Sequence, residues 1–487
     1  MRGLTAIALL TCGCAPDEVK VEPPPATDVE IDMEIVDVNI VEDAAMPHHV
    51  TFEIVLSEPA MPGVVCDLVG DPDEVLTFAA TESSESPSVE LVGLLADETY
   101  SCRVESNSVS VDVELNTGPL GLDFVPRCLG DTSADDMAGV YTLYNHFATG
   151  EIENHKLLIV DPECRVRFSL DVGATDTGGV EFTALGPNLL RAGGGERIHP
   201  TTYALTGELV DAWPAPTAGG LFHHDVVDLP DDTTAALVTT VDAWPAGFEF
   251  TGFAIEIRES SSLDPVWIYN SQDGFDDLEP TVLRPDPYHA NAMSFLDDDR
   301  GSAVWLSLKN QNNIVRLDRQ TEAVDLRLGP GGDFVLQNAA GEPLPDDEWF
   351  WGQHDPDFHL PSVFIYDNGS GRPNGQNYSR AVELVLDMVS EPPTATLAWE
   401  WREPGWYETV FGDVDLLENN HVLIAQGHCY FCGVGDPDRR SAVVELDRDN
   451  GQEVWRLSYD EEEAGIYRAD RVGGCDLFTN RKYCPEL

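Results

Sequence analysis

The chain has 487 residues, of which 27 are Lys or Arg and 88 are Asp or Glu, so its formal net charge is -61. This charge excludes nucleic acid and anionic lipid surfaces as default partners, because both attract basic proteins. Hydrophobic residues make up 42% of the chain, which is enough for a folded core. The length predicts two or three domains, or one large all-β domain with an appendage.

The first fourteen residues, MRGLTAIALLTCGC, combine one Arg, an apolar run and two cysteines beside small residues. This pattern is typical of a bacterial lipoprotein signal peptide, and the alternative is an uncleaved signal or a soluble secreted protein. Cys14 is the preferred lipidation site because it leaves an even number of mature cysteines, and Cys12 is the other candidate. We therefore expect an exported lipoprotein of the cell envelope, on the periplasmic face or the outer membrane, that meets the membrane only through its lipid anchor.

The remaining eight cysteines fall in pairs that are close in sequence, as expected for disulfides in an oxidising compartment. For the Cys-x-x-Cys pair, a redox or zinc role is the alternative to a small structural disulfide, but a second such motif is missing from the sequence. The predicted pairs are Cys66 with Cys102, Cys128 with Cys164, Cys429 with Cys432, and Cys475 with Cys484.

Residues 15–27 are Pro-rich and acidic, which is typical of a spacer between an anchor and a folded domain. From 28 to 117 the sequence changes to short runs with period-two alternation, such as VEIDMEIVDVNIV and VSVDVELNT. Runs of this kind, separated by Pro and Gly turns, predict a small β-sandwich similar to a fibronectin type III module. We expect this domain to act as a spacer without chemistry.

From 118 to 487 the chain is β-rich, almost without helical periodicity, and self-similar. A typical unit has a polar opening, an acidic turn, an apolar strand and a second strand that ends in Asp. Repeats of tens of residues with several strands each predict a β-propeller, here with six blades, and an irregular multi-sheet β protein is the alternative. The units are 155–172, 180–213, 223–240, 289–321, 353–387 and 412–457, of which the first two are weaker copies.

Three histidines, His224, His289 and His354, are spaced 65 residues apart, and each opens its unit. Equivalent positions in successive blades would converge on a central channel, so the pattern predicts one shared site. Three His ligands suit a transition metal. Alternatively, one imidazole attacks a transferring anion while the others stabilise its charge. Asn291, expected on the same strand face as His289, and Lys309, on the next strand, favour the second reading, because a Lys repels a metal cation but attracts an anion.

At these residues the sequence resembles the bacterial arylsulfotransferase (arylsulfate sulfotransferase) family. The similar segments lie between about 137 and 472 and include HHDVVDLPDD, HANAMSFLDDD, WLSLKNQNNIVRLDRQT, GQHDPDF, IYDNGSG and IYRADRV. The resemblance implies a six-bladed propeller preceded by a β-sandwich. It also implies transfer of a sulfuryl group from an aryl sulfate to a phenol through a sulfated histidine, independently of 3′-phosphoadenosine 5′-phosphosulfate, with no cofactor and no metal.

The resemblance also assigns roles. His354 matches the nucleophile, and His289 with Asn291 matches the second motif, in which His289 is the general acid and base. His224 matches the third histidine, and His223 would take its place if the alignment moves by one residue. Lys309 stands where the family usually has Arg, so charge is retained while the two parallel hydrogen bonds of a guanidinium are lost.

Asp355, next to His354, is expected to be structural, although orienting the imidazole is a second possibility. Two other functions stay open on the sequence. One is a metal-dependent hydrolase or lyase that uses His224, His289 and His354 as ligands. The other is a degenerate propeller that only binds a ligand.

Overall fold

A computed structural model describes residues 33–43, 46–129, 137–148, 155–173, 181–186, 188–193, 199–243, 249–260, 262–275, 285–428, 441–459 and 464–484. In these ranges the chain folds into 33 strands, one short helix (α1, Ser271–Gly274) and two 3-10 turns (Lys309–Gln311 and Asp346–Glu348). The all-β prediction is therefore confirmed. The predicted signal peptide, the spacer, Cys12, Cys14, Cys429 and Cys432 lie outside the described residues.

The first seven strands form two sheets, with strand orders β1-β2-β5 and β4-β3-β6-β7. Alternate residues of β2 are buried, including Phe52 and Ile54, as the period-two pattern requires. Residues of both sheets share one hydrophobic core, and a disulfide joins Cys66 of β3 to Cys102 of β6. The strands are β1 (Ile35–Glu42), β2 (His49–Leu56), β3 (Gly63–Leu68), β4 (Asp71–Ala79), β5 (Ser88–Val92), β6 (Thr99–Ser106) and β7 (Val109–Asn116).

The other 26 strands form six sheets of four or five strands. The first half of this series comprises β8 (Arg127–Cys128), β9 (Tyr141–Ala148), β10 (Lys156–Val160), β11 (Val166–Asp171), β12 (Glu181–Gly186), β13 (Leu189–Gly193), β14 (Thr201–Ala204), β15 (Leu209–Ala212), β16 (Phe222–Leu229), β17 (Thr233–Ala243), β18 (Glu249–Glu259) and β19 (Pro265–Asn270). The second half comprises β20 (Ala290–Asp298), β21 (Gly301–Leu308), β22 (Asn313–Asp318), β23 (Val324–Leu328), β24 (Val335–Gln337), β25 (His354–His359), β26 (Ser362–Asp367), β27 (Arg380–Asp387), β28 (Thr394–Trp401), β29 (Asp413–Leu416), β30 (His421–Gln426), β31 (Ala442–Asp447), β32 (Gln452–Ser458) and β33 (Ala464–Val472).

Four of these sheets are built around antiparallel runs of four consecutive strands, β12–β15, β16–β19, β20–β23 and β25–β28, and β24 adds to the last of them in parallel. Each of the two sheets at the ends of the series includes one strand from a distant part of the chain. Strand β33 pairs with β9, and β8 pairs with β32. A disulfide between Cys128 and Cys164 links the same two sheets. The end of the chain therefore completes the first sheet of the series.

One strand from each of the six sheets faces its counterparts, and these inner strands contact one another in the cyclic order β33, β12, β16, β20, β25, β29 and back to β33. Several aspartates bind the backbone of the next inner strand. Asp225 accepts a hydrogen bond from Met293 N (2.6 Å), Asp357 one from Leu416 N (2.9 Å), and Asp413 one from Ala469 N (3.1 Å). Carboxylates therefore satisfy backbone donors where sheets meet.

The N-terminal sheets contact the end of the chain through a buried polar cluster. The carboxylate of Glu74 on β4 binds Arg167 (2.6 Å), Arg165 (3.1 Å) and the amide of Asn480 (2.6 Å). The last predicted disulfide, Cys475–Cys484, encloses Asn480. All three disulfides that fall on described residues thus agree with the pairs expected from the sequence. Among the same residues, no helix is long and apolar enough to cross a membrane.

Candidate functional site

The inner strands depart from regular geometry where the predicted site residues lie. His224, His289 and Asp355 have left-handed backbone angles, with φ of 58°, 49° and 40°. The register of β16, β20 and β25 is interrupted at or beside each of them. Such bulges redirect side chains, and left-handed non-glycine residues persist only where their surroundings compensate for the strain. The sequence motifs therefore correspond to real breaks in three neighbouring strands.

The equal spacing predicts that the three histidines occupy equivalent positions in their strands, but the structure shows that they do not. His224 and His289 both occupy left-handed positions, but in β25 that position is held by Asp355, one residue after His354. Asn291 also differs from expectation. It lies at the register shift between Ala290 and Ala292, so the alternation that would place it on the same face as His289 does not apply.

The rings of His224 and His289 meet edge to face, with centroids 5.0 Å apart. Nδ1 of His224 lies 2.7 Å from Nδ1 of His223, so one of these nitrogens donates and the other accepts. His223, His224 and His289 line a cavity of about 210 Å³, together with Asp286 and Tyr288. His223 is 6% exposed and lies directly beside His224.

His289 is fixed by Asp286, three residues earlier. One carboxylate oxygen of Asp286 lies 2.6 Å from His289 Nδ1, and the other accepts a hydrogen bond from His289 N at 2.7 Å. Because a carboxylate can only accept, Nδ1 bears the proton and Nε2 is left to exchange one. Burial alone raises the pKa of Asp286, but hydrogen bonds and charge from His289 outweigh it and hold that pKa below its ordinary value.

His354 is 3% exposed, and Asn368 fixes its ring. His354 Nδ1 lies 2.6 Å from Asn368 Oδ1, and Asn368 Nδ2 donates to the carbonyl of Phe411 at 2.9 Å. The second bond sets the amide orientation, so Oδ1 faces the ring and Nδ1 of His354 must be the donor. The lone pair of the imidazole is then on Nε2. Asp355 does not orient this ring, because its carboxylate binds Arg468 instead.

The two remaining predicted residues are next to the histidines. Asn291 is fully buried; its Nδ2 donates to the carbonyl of Gln353 (2.8 Å), the residue before His354, and its Oδ1 makes no hydrogen bond to any residue that the structure describes. Lys309 begins the 3-10 turn after β21, and its N–H donates to the carbonyl of His289 (3.1 Å). The structure thus brings all five predicted residues into one region.

Electrostatics in this region favour the neutral forms of His224 and His354. Burial lowers the pKa of His354 well below its ordinary value; the positive charges of Lys309, His289 and Arg468 act in the same direction, and the hydrogen bond with Asn368 opposes them. Burial likewise lowers the pKa of His224 well below the usual range, with further contributions from neighbouring histidines and Arg468. A buried neutral imidazole retains the lone pair that a nucleophile needs.

A second cavity of about 520 Å³ is lined by the inner strands, and Arg468 lines it together with several aspartates. Burial raises the pKa of Asp355 well above its ordinary value; Arg468 opposes this shift, and the charges of Asp413 and Asp225 add to it. The acidic residues that line this cavity are Asp225, Asp228, Asp355, Asp357, Asp413, Asp415 and Asp470.

The described part of the chain contains no group of three or more His, Cys, Asp or Glu side chains placed to hold a metal ion. His224, His289 and His354 all lie in that described part and do not form such a group. The arrangement gives no geometric support to the three-histidine metal site that the spacing left open.

Residues 131–468, more than half of the chain, match the family described as Arylsulfotransferase (ASST). The chain belongs to the arylsulfotransferase family. This membership confirms the resemblance seen in the sequence and supports aryl sulfate sulfotransferase activity, with small aryl sulfates and phenols as substrates. No curated protein matches the chain at a significant level.

Solved structures resemble the arylsulfotransferase chain only weakly. A GH43_1 enzyme from Xanthomonas citri has a TM-score of 0.29 and 11% identity, over 68% of this chain and 91% of its own. An alpha-L-arabinanase from Cellvibrio cellulosa has a TM-score of 0.31 and 10% identity, over 57% of this chain and 94% of its own. Likeness at this level supports no argument about substrate or mechanism.

Three residues of the site were missed from the sequence: Asp286, Asn368 and Arg468. Asn368 lies in IYDNGSG, a segment that shows the family resemblance but gives this residue no role, and Asp286 has no distinctive motif. Arg468 stands in IYRADRV, a segment that was noted for its similarity but given no role. An Asp three residues before a candidate His was a usable signal, since such spacing allows one carboxylate to bind both the ring and the backbone, as Asp286 does.

Proposed function

We propose that this arylsulfotransferase moves a sulfuryl group from an aryl sulfate to a phenolic acceptor through a sulfated His354, without 3′-phosphoadenosine 5′-phosphosulfate. The observation that supports this most directly is the hydrogen bond from His354 Nδ1 to Asn368 Oδ1. It leaves the lone pair on Nε2 of a buried, neutral ring. Such a ring is a nucleophile at neutral pH without a separate base.

In the first half-reaction, Nε2 of His354 forms a bond to sulfur while the sulfur–oxygen bond to the aryl group breaks. The aryl oxygen leaves with the bonding electron pair as a phenolate. His289 enters this step as the imidazolium, with Nδ1–H bound to Asp286, and donates its Nε2 proton to the phenolate. The imidazole gains positive charge as the nitrogen–sulfur bond forms, so its hydrogen bond to Asn368 strengthens towards the transition state. Interactions that strengthen in this way lower the barrier.

In the second half-reaction, the acceptor phenol gives its proton to His289, and its oxygen attacks sulfur. The nitrogen–sulfur bond breaks, and its electron pair returns to Nε2 of His354. Asp286 can hold His289 in place through both steps because it binds the ring and the backbone. Lys309 and His224 would bind the negative oxygens of the transferring group, which need charge stabilisation more than covalent chemistry. Asn291 would contribute through the second N–H of its amide, because the first donates to Gln353 and Oδ1 can only accept.

The proposal includes the architecture that this chemistry would use. The cyclic contacts of the six inner strands support a six-bladed β-propeller over 118–487, with the site on its axis. The shared core of the first two sheets supports a β-sandwich over 28–117. We assign 1–14 to a lipoprotein signal peptide with lipid on Cys14 or Cys12, and 15–27 to a linker, which leads to an exported enzyme held at the cell envelope.

The decisive experiment incubates the protein with 4-nitrophenyl sulfate and a phenol, followed by intact-mass and peptide analysis. We expect one added sulfuryl group on the peptide that contains His354, and no added group in His354→Ala. His359→Ala is the matched control, because His359 ends the same strand with an exposed ring. A wild-type turnover in His354→Ala contradicts the proposal, as does stoichiometric zinc or iron that survives dialysis.

A further inference from the structure

Arg468 has a position that the proposed chemistry does not yet use. It lies on β33, the last strand of the chain, and its side chain is only 8% exposed. A buried arginine is costly unless every donor is satisfied. The groups that it binds therefore indicate which parts of the structure it holds in place.

The guanidinium donates in three directions to three different inner strands. Nη1 binds Asp225 of β16 at 2.9 Å, Nε binds Asp355 of β25 at 2.6 Å, and Nη2 binds the carbonyl of Asn291 of β20 at 2.8 Å. The rigid planar fork of arginine is suited to such divergent contacts, whereas the single nitrogen of lysine is not.

Each of these contacts is made to a candidate site residue or to its direct neighbour in sequence. Asp225 follows His224, Asp355 follows His354, and Asn291 is itself a candidate site residue. The contacts also fall where the strand register is interrupted, so ladder hydrogen bonds do not fix the backbone there. The hydrogen bonds of Arg468 restrain the backbone at the positions where hydrogen bonds between paired strands are missing.

We propose that Arg468 is the positioning residue of this site: it holds the three bulged strands in register and so sets the mutual placement of His224, Asn291 and His354. This inference rests on the proposed function of His354 as the sulfated residue. Arg468 itself need not touch the substrate. Its cation also lies close enough to favour the neutral forms of His224 and His354, which is consistent with a nucleophile at neutral pH.

The test measures the rate of His354 sulfation by 4-nitrophenyl sulfate in a single turnover, with donor concentration varied to separate binding from chemistry. In Arg468→Met we expect the saturating rate to fall about 100-fold, because misplacement of reacting groups by about 1 Å costs that much, while half-saturation changes little. Arg468→Lys keeps the buried charge but loses the three-way contact, so we expect only partial recovery.

Arg471→Met is the matched control. Arg471 lies on the same strand, its side chain is 2% exposed, and it pairs at 2.9 Å with Glu445, which is far in sequence from His224, His289 and His354. We expect this variant to unfold more easily but to sulfate His354 at the wild-type rate per folded molecule.

The outcomes separate the two proposals. If the wild-type protein gives no sulfated His354 peptide, the proposed function itself fails. If the wild type is sulfated and Arg468→Met keeps its rate, or if Arg471→Met slows equally, the positioning role is overturned. Where Arg468→Met does not fold, Arg468→Lys decides, and a wild-type rate in that variant overturns the inference.

Discussion

The hydrogen bond between His354 and Asn368 can be tested by replacing Asn368 with Ala. The change removes the only acceptor that the structure shows for His354 Nδ1, in a place where water has little access, since Asn368 is fully buried. A hydrogen bond is worth about 0.5–1.5 kcal/mol when both groups are neutral and about 1.5–3 kcal/mol when one is charged, as the ring becomes in the transition state. Because the ground state also loses the bond, the barrier rises only by the difference, about 1–1.5 kcal/mol. At about 1.4 kcal/mol per factor of ten, the sulfation rate falls by about 5- to 10-fold.

The assay is single-turnover release of 4-nitrophenolate together with the mass of the His354 peptide. Asn480→Ala is the control, because Asn480 is equally buried and its Nδ2 donates to Glu74 at 2.6 Å, at the junction with the N-terminal sheets. It should lower the free energy of unfolding without slowing sulfation. If Asn368→Ala sulfates His354 at the wild-type rate, the tautomer argument is refuted. A loss of rate in Asn480→Ala equal to that in Asn368→Ala would show that stability alone explains the effect.

Three other predictions concern charge. Lys309→Arg restores the residue usual in the family and should raise donor turnover, whereas Lys309→Met should lower it; equal turnover in all three proteins would place Lys309 away from the sulfuryl group. Burial raises the pKa of Glu408 to about 8, although hydrogen bonds from Tyr366 and His428 N lower it. Stability from this proton is fully present below about pH 4.3 and is lost as pH rises through 8, so Glu408→Gln should flatten that decline in urea unfolding. The protein has a net charge of -61 and repels the anionic donor, so the KM for 4-nitrophenyl sulfate should fall as added salt shortens the Debye length from about 30 to 8 Å. A KM that rises with salt would show that the local cations dominate.

The sequence predicted those features that depend on local pattern. Alternating apolar residues gave the strands, as in β2, and close spacing of cysteines gave the pairs Cys66–Cys102, Cys128–Cys164 and Cys475–Cys484. The recurring histidine motifs indicated the region where the structure brings His224, His289 and His354 together. Each of these signals lies within one unit of the chain or repeats from unit to unit.

The contacts that hold the site together join residues that are far apart in sequence, and local sequence patterns do not predict such contacts. Arg468 and Asp225 are 243 residues apart, and Asn291 and Arg468 are 177 apart, so no spacing rule connects them. The exact placement of His354 was also not predictable. A regular spacing of 65 implies a regular backbone, but the bulge in β25 moves the left-handed position by one residue to Asp355. Bulges break the alternation on which strand reasoning depends.

Strand β33 has a consequence for how this protein is made. While the nascent chain still lacks β33, β9 has a free edge, the cycle of inner strands is open, and Arg468 is not yet available to the histidines. A prematurely terminated product would present an exposed edge that invites aggregation. It would also lack the arginine that we propose to align its nucleophile. Closure of the fold and placement of Arg468 beside the histidines would thus coincide in one event, so that copies truncated before β33 could not transfer sulfuryl groups.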